Sequence, residues 1–257
     1  MTISDSDLEK IEKATLASFP HEMVGVLTEK MGFIQLQNLA SSSTHRFEID
    51  ILEYRKLDRV YKITGLVHSH TRQKNVDYGP ATELDSRTPS HLDVKSQKSL
   101  GIPFYIVATD GEFVMEPICY PRDKNTPLYG RPFIFYINDC YTLVADYYYQ
   151  NYGIQLMEHA PEFDWWNDGK GGVTTPFYTQ YLEEAGFYKI DEYELEVGDI
   201  IIMGMGKQDG NHLGVFVEDY KILHHIMNHS SSSLPISKWK SYIQGYARHK
   251  DKPRNNK

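Results

Sequence analysis

The run Asn138-Asp139-Cys140-Tyr141-Thr142-Leu143-Val144 constrains this chain most, because it sets a thiol at the start of an apolar-periodic segment. Asn138 or Asp139 is expected to cap a helix there. Leu143, Val144, Tyr147 and Tyr148 supply its buried face and Gly153 its stop. Cys140 then lies in the first helical turn, where unpaired amides and the helix dipole favour a thiolate. A thiolate needs a base, and two histidine-bearing stretches follow: Asn211-His212-Leu213-Gly214-Val215 and Leu223-His224-His225. His212 and His224 flank one expected hairpin near Glu218-Asp219-Tyr220, and their even separation of 12 puts both on the same sheet face. His212 is read as the base for Cys140 and His224 as the residue orienting it. His225 competes for that third role, because a two-residue turn would set it opposite His212. A lone cysteine is more often a buried structural residue, which is the reading given to Cys119.

With 257 residues, 40% hydrophobic and 24% charged, the chain has material for one large globular domain or two ordinary ones. Its net charge is -8, and basic residues concentrate only from Lys250 to Lys257, which argues against nucleic acid as the main partner. Two cysteines make no disulfide framework, and a nucleophilic one must stay reduced. The N-terminal stretch carries Leu8, Ile11 and Leu16 at helical spacing but no basic segment followed by an apolar core, so no signal peptide is expected. No apolar run approaches the roughly 18 residues of a membrane span. A soluble product made in a cytoplasm is expected.

Along the chain, residues 5–19 read as an amphipathic helix capped by Ser4 or Asp5 and ended by Pro20. A turn and strand follow to Leu27, then an alternating strand over 33–39, a charged helix over 47–62 and a buried strand over 65–70. A polar loop spans 71–88. Ser90 caps a helix through Leu100, and 102–109 with 112–120 form a hairpin about Asp110-Gly111. Pro121 to Pro127 reads as a linker, which divides the chain into domains 1–122 and 123–257. Beyond it come the Cys140 helix, a polar loop over 164–175 with Trp165, Trp166 and the 169–172 glycine run, and a helix over 177–185 closed by Gly186. Strands are expected over 197–203, 212–217 and 221–227, a flexible spacer over 230–233, and a disordered tail after His249. The mixture gives an α+β (mixed α/β) fold class.

The first half carries a second constellation. In a strand, His68 and His70 project to one face about 7 Å apart, which suits two imidazoles gripping one ion. With 11 histidines in the chain the pair alone is weak evidence, but the order Glu22, His68/His70, Ser90/Asp93 is restrictive. Asp93, one turn into the helix capped by Ser90, is the expected third ligand, and Glu22 the general base on a metal-bound water.

Pro20-x-Glu22-x-x-Gly25-x-Leu27, His68-Ser69-His70 and Pro89-Ser90-x-x-Asp93 resemble the JAMM (MPN-type) metalloprotease motif. That resemblance implies Zn2+ on His68, His70 and Asp93, Glu22 as base, and Ser90 holding the oxyanion or the Asp loop. It departs from the pattern in the gap: Thr71 to Pro89 is 19 residues where the family usually has seven, and Thr82-Glu83-Leu84-Asp85 inside it is a rival tetrad. Residues Tyr129-Gly130-Arg131-Pro132-Phe133, Asn138-Asp139-Cys140, Glu196-Val197-Gly198-Asp199, Asn211-His212-x-Gly214 and Leu223-His224 resemble NlpC-type papain-like cysteine peptidases. The implied roles are Cys140 nucleophile, His212 base and His224 polar third member. A tyrosine common in that family is replaced where Phe133 or Phe135 stands, with Tyr129 as a candidate substitute. A JAMM-like half before an NlpC-like half resembles the tail-tip assembly proteins of lambda-like phages. This implies a virion protein, present in the host cytoplasm during assembly, with other tail-tip proteins and bacterial peptidoglycan as partners. It also implies cleavage of stem peptides between D-glutamate and the diamino acid. A structural assembly factor with reduced sites, or a processing protease of tail proteins using the zinc half, are the alternative readings.

Overall fold

The computed structural model describes residues 3–44, 46–72, 85–157, 177–180, 182–206 and 210–253. It divides into two compact units, Met1–Arg122 and Asp123–Lys257, and the division falls inside the proline-bearing stretch 121–127.

In the first unit, α1 (Asp5–Ser18) begins at Ser4, whose hydroxyl accepts the Asp7 N–H, and it buries Ile11 and Ala14. The hairpin of β1 (Val24–Thr28) and β2 (Gly32–Leu36) is tied to this helix by the Phe33 N–H, which donates to the Asp7 carboxylate at 2.9 Å. α2 (Ile51–Tyr61) starts later than its charged pattern suggests, because the Asp50 side chain caps the Leu52 and Glu53 amides. β3 (Ile63–Thr71) runs antiparallel to β1, and β4 (Phe104–Thr109) runs parallel to β3. A parallel neighbour requires a crossover, and α3 (His91–Leu100) lies in the connection. β5 (Ile118–Tyr120) completes a sheet of order β2-β1-β3-β4-β5. The hairpin about Asp110-Gly111 forms, but its second arm is broken between the Thr109–Val114 bridge and Ile118. Pro117 sits in that gap with no N–H to give.

The second unit contains α4 (Cys140–Tyr152), α5 (Phe177–Gln180), β6 (Phe187–Ile190), β7 (Ile200–Met203), β8 (His212–Val217), β9 (Lys221–His224), β10 (Ser232–Pro235) and β11 (Ile243–His249). Its sheet has the order β10-β9-β8-β7-β11-β6, antiparallel at every pair. α4 lays Leu143, Val144, Tyr147 and Tyr148 against Ile200, Ile202, Leu213 and Val215, while Ile201, Met203, Phe216 and Ile222 pack on the other face under Trp239. Both faces of β7 are covered, which is why its sequence is apolar without alternation.

Four expectations for this unit are corrected. The helix expected over 177–185 ends at Gln180, and 182–186 is a turn closed by the Gly186 N–H on the Glu183 carbonyl, with Gly186 at φ 87°. The strand expected to reach Met227 stops at His224, because Asn228 takes φ 62° in a turn that leaves the sheet. Residues 230–233 are not a spacer: Ser232 and Ser233 pair with β9, and the Ser231 hydroxyl donates to the Leu128 carbonyl and accepts the Arg131 N–H. The chain after His249 continues in order through Pro253, because buried Asp199 accepts Lys252 Nζ at 2.8 Å alongside Arg248 at 2.7 Å. The Trp165/Trp166 loop, much of 71–88 and residues 254–257 lie outside the described residues. Among the described residues, no helix is long and apolar enough to cross a membrane.

Candidate functional site

In the first unit, β3 carries His68 and His70, and the start of α3 brings Asp93 to them. The nitrogens His68 Nε2 and His70 Nε2 are 3.2 Å apart, and Asp93 Oδ1 and Oδ2 lie 3.1 Å and 3.3 Å from them. Donors about 2.0–2.1 Å from a tetrahedral zinc sit roughly 3.3 Å from one another, and one ligand atom from each of the three residues lies within 4.8 Å of the others, so the donor set fits a zinc ion in chemistry and approximate spacing. The His70 Nδ1–H donates to the Ser86 carbonyl at 2.8 Å, which leaves its Nε2 lone pair facing the other two donors. Asp93 is fixed by a capping box: its Oδ2 accepts the Ser90 N–H at 2.7 Å, and the Ser90 hydroxyl accepts the Asp93 N–H at 3.1 Å. Ser90 therefore holds the Asp93 turn. Asp85 of the rival tetrad is spent on Arg87, at 2.7 Å, and stands outside the cluster.

Glu22 precedes β1, whose Val24 is paired with His68, and the Met23 N–H donates to the Ser69 hydroxyl at 2.8 Å. Glu22 is buried and shares a cleft with His70, Ser90 and Asp93. Burial pushes its carboxyl up to about 7; the His70 charge opposes this and Asp93 adds to it. Burial also lowers His68 against the pull of Asp93. For Asp93 burial acts upward, but His68 and His70 outweigh it and hold the carboxyl well below the usual range.

In the second unit, Asp139 is the cap, not Asn138. Its side chain accepts the Thr142 N–H at 2.8 Å and the Tyr136 N–H at 2.9 Å, and the Thr142 hydroxyl accepts the Asp139 N–H. Cys140 thus begins α4, buried and beside the Leu213 and Tyr141 amides, which favour its thiolate less than burial disfavours it: the thiol is pushed up to about 12.

The β8–β9 turn settles the parity. Val217 pairs with Lys221, leaving three turn residues, and Asp219 and Tyr220 both take positive φ. His224 therefore shares the face of His212, with its Nδ1 3.2 Å from His212 Nε2. The ring of Trp239 closes over His224 at 4.5 Å between centroids. His225 does not follow His224 onto that face but still lines the cavity that holds Cys140 and His212, edge-on to Phe133 at 5.1 Å. Burial pushes His212 down to about 3 and His224 and His225 to about 4, so all three are neutral imidazoles at neutral pH.

Cys140 and His212 line one cavity with Phe133, Phe135 and Tyr178. Tyr129, the candidate hydroxyl of the sequence, is 54% exposed and lies outside that lining. The hydroxyl at the thiol comes instead from Tyr178, whose Oη is 3.5 Å from Cys140 Sγ. It is one of 19 tyrosines and follows no motif, so no sequence signal marks it.

Residues 129–248 match the NlpC/P60 family. The C-terminal half is an NlpC/P60 domain. Over 250 residues the chain is 28% identical to "Tail tip assembly protein K" of Escherichia phage N15, covering 95% of this chain and 94% of that protein. It is also 28% identical over 190 residues to the protein of the same name from Escherichia phage lambda, covering 74% of this chain and 83% of that one. Among solved structures, an NlpC/P60 family protein from Bacillus cereus overlaps 92% of this chain and 66% of its own, at 12% identity and a TM-score of 0.32.

Proposed function

We propose that this chain is a phage tail-tip assembly protein, made in the host cytoplasm and carried in the virion, whose C-terminal half is a cysteine endopeptidase of peptidoglycan stem peptides. The observation that carries this reading is the line of groups in the NlpC/P60 domain: Cys140 at a helix start, His212 in the same cavity, and His224 Nδ1 3.2 Å behind His212 Nε2. With Nε2 turned to His224, the remaining ring nitrogen of His212 takes the Cys140 proton as sulfur attacks the amide carbon. His212 then returns that proton to the leaving amine, and water hydrolyses the thioester. The resting pair is a neutral thiol and a neutral imidazole, so proton transfer accompanies attack rather than preceding it. The bond between D-glutamate and the diamino acid is the proposed target, and other tail-tip proteins are the proposed assembly partners.

For the first half we propose a JAMM-like zinc site on His68, His70 and Asp93. Bound zinc would supply Lewis-acid activation of a water or carbonyl. Glu22, with its carboxyl near 7, would hold and release the proton of that water. Ser90 keeps the Asp93 carboxylate aimed.

A second reading, an assembly factor with silent sites, draws support from the buried, protonated thiol and from the 19 residues between His70 and Ser90. A third assigns the zinc half to processing of tail proteins. Tails assembled with Cys140→Ser separate the first two. The endopeptidase reading expects normal particles that release no stem peptides from cell walls. Failed assembly with a folded mutant chain would contradict a purely enzymatic role for Cys140.

A further inference from the structure

The proposed reaction uses His212 and leaves His225, in the same cavity, without a part. His225 follows β9, is fully buried, and lines that cavity with Cys140 and His212. Its ring meets Phe133 edge-on, and neither Nδ1 nor Nε2 has a hydrogen-bond partner. An imidazole shut away from water with both nitrogens unpaired carries a free-energy cost that a hydrocarbon side chain would not. A substrate group that supplies a missing partner recovers part of that cost on binding, which makes such a position selective. Among the described lining residues there is no lysine or arginine, while Asp139 is one of them. Phe133, Phe135, Met205, Ile226 and Met227 add apolar wall. The nearby Arg131 guanidinium is matched by Asp146 at 2.7 Å. A carboxylate entering here would lose its water and gain no cation. An amide carries no charge to desolvate, and it suits a neutral imidazole, which has one N–H to give and one lone pair to accept. Burial keeps the ring neutral against the weaker upward pull of the His229 and Arg131 backbone.

We propose that His225 is a substrate-binding residue of the thiol site, hydrogen-bonding an uncharged main-chain amide that flanks the bond attacked by Cys140. The inference deepens the reading of Cys140 as nucleophile and rests on it. A peptide that extends beyond the scissile bond carries such an amide a few covalent bonds from the attacked carbon, and so close to Sγ. The ring N–H donates to its carbonyl, or the ring lone pair accepts its N–H, and neither contact changes any charge. Carboxylates of the same peptide stay outside the cavity, in water. His225 moves no proton in this scheme; it holds the chain on which Cys140 and His212 act.

The test uses full chains carrying Cys140→Ala, so that peptides bind without being cleaved, with and without His225→Leu. The probes are a synthetic stem peptide and two analogues, each with an ester in place of the amide on one side of the scissile bond. Affinities are read by calorimetry. His225→Leu should raise the dissociation constant of the parent peptide about tenfold, the scale of one neutral hydrogen bond. For one of the two ester analogues the same substitution should cost little, because the partner is already gone and the two changes couple. His225→Gln, which keeps a donor and an acceptor, should restore most of the affinity. The melting midpoint of His225→Leu should not fall, since the change removes an unpaired polar ring. No loss for the parent peptide, or equal losses for all three, would overturn the proposal. Coupling without any cleavage of the parent peptide by the chain with Cys140 intact would leave His225 as a binding residue and overturn the nucleophile instead.

Discussion

The two halves differ in what decides the charge state of the central acidic group, Asp93 in one and Cys140 in the other. In the first, His68, His70 and Asp93 converge within 3.3 Å on one side of β3, and their charges and hydrogen bonds dominate over burial at Asp93. In the second, burial dominates: it raises the Cys140 thiol to about 12 and lowers His212 to about 3. The first arrangement groups two imidazoles and a carboxylate, the donor types that bind a divalent cation. The second is a neutral pair whose chemistry waits for a substrate carbonyl. The difference teaches that clustering of ligand-type residues and perturbation by desolvation mark different kinds of reactive site.

The sharpest break of that comparison is His212→Ala. It should lower stem-peptide cleavage by roughly 10⁶-fold, the scale set by loss of a triad base, while Asp93→Ala leaves it unchanged. Equal losses, read by product release under matched conditions, would mean that the sites are not independent. Metal content tests the other side. The wild-type chain should bind one zinc, measured by elemental analysis after dialysis, and Asp93→Ala should lose it, whereas His212→Ala and His224→Ala retain it. Zinc retained by Asp93→Ala would reject the three-residue site.

Smaller effects concern how the thiol site is held. Arg131 and Asp146 form a buried pair at 2.7 Å, with side chains 1% and 0% exposed, and the Arg131 guanidinium also reaches the Pro127 and Thr126 carbonyls. Arg131→Ala strands the Asp146 charge and should destabilise the second unit by about 3–5 kcal/mol, read by denaturant unfolding. Loss below about 1 kcal/mol would place that pair in effective contact with solvent. The mildest prediction is a pH effect. His212, His224 and His225 have folded values of about 3, 4 and 4, below the unfolded value near 6.5. The unfolded chain binds more protons between those limits, so stability is full above about pH 6.5 and falls as pH drops toward 4. The slope is roughly 1.4 kcal/mol per pH unit for each histidine, and melting midpoints across that range should show it. His224→Gln should flatten the slope by one histidine's share, and an unchanged slope would contradict the depressed value of His224.

Much of both sites was legible because local rules carry them. A cap followed by an apolar face marks the Cys140 helix, and Ser90 three residues before Asp93 marks the capping box that aims the carboxylate. The sequence favoured His224 as the partner of His212 while leaving His225 as an alternative. The choice turns on whether the β8–β9 turn holds two residues or three, and Asp219 and Tyr220 adopt a left-handed backbone that side-chain type does not announce. Tyr178 was missed because its place depends on tertiary packing against Tyr141, 37 positions earlier in the chain. The ordered segment after His249 was missed for an electrostatic reason. Lysines near a terminus read as solvated, yet the buried Asp199 draws Lys252 inward.

The most direct measurement is digestion of purified peptidoglycan by the wild-type chain, Cys140→Ala and Asp93→Ala, with soluble products identified by mass spectrometry. A working thiol site releases the same stem-peptide fragments from wild type and Asp93→Ala, ending at D-glutamate, and none from Cys140→Ala. Undiminished fragments from a folded Cys140→Ala chain would contradict the thiol as the wall-cleaving nucleophile.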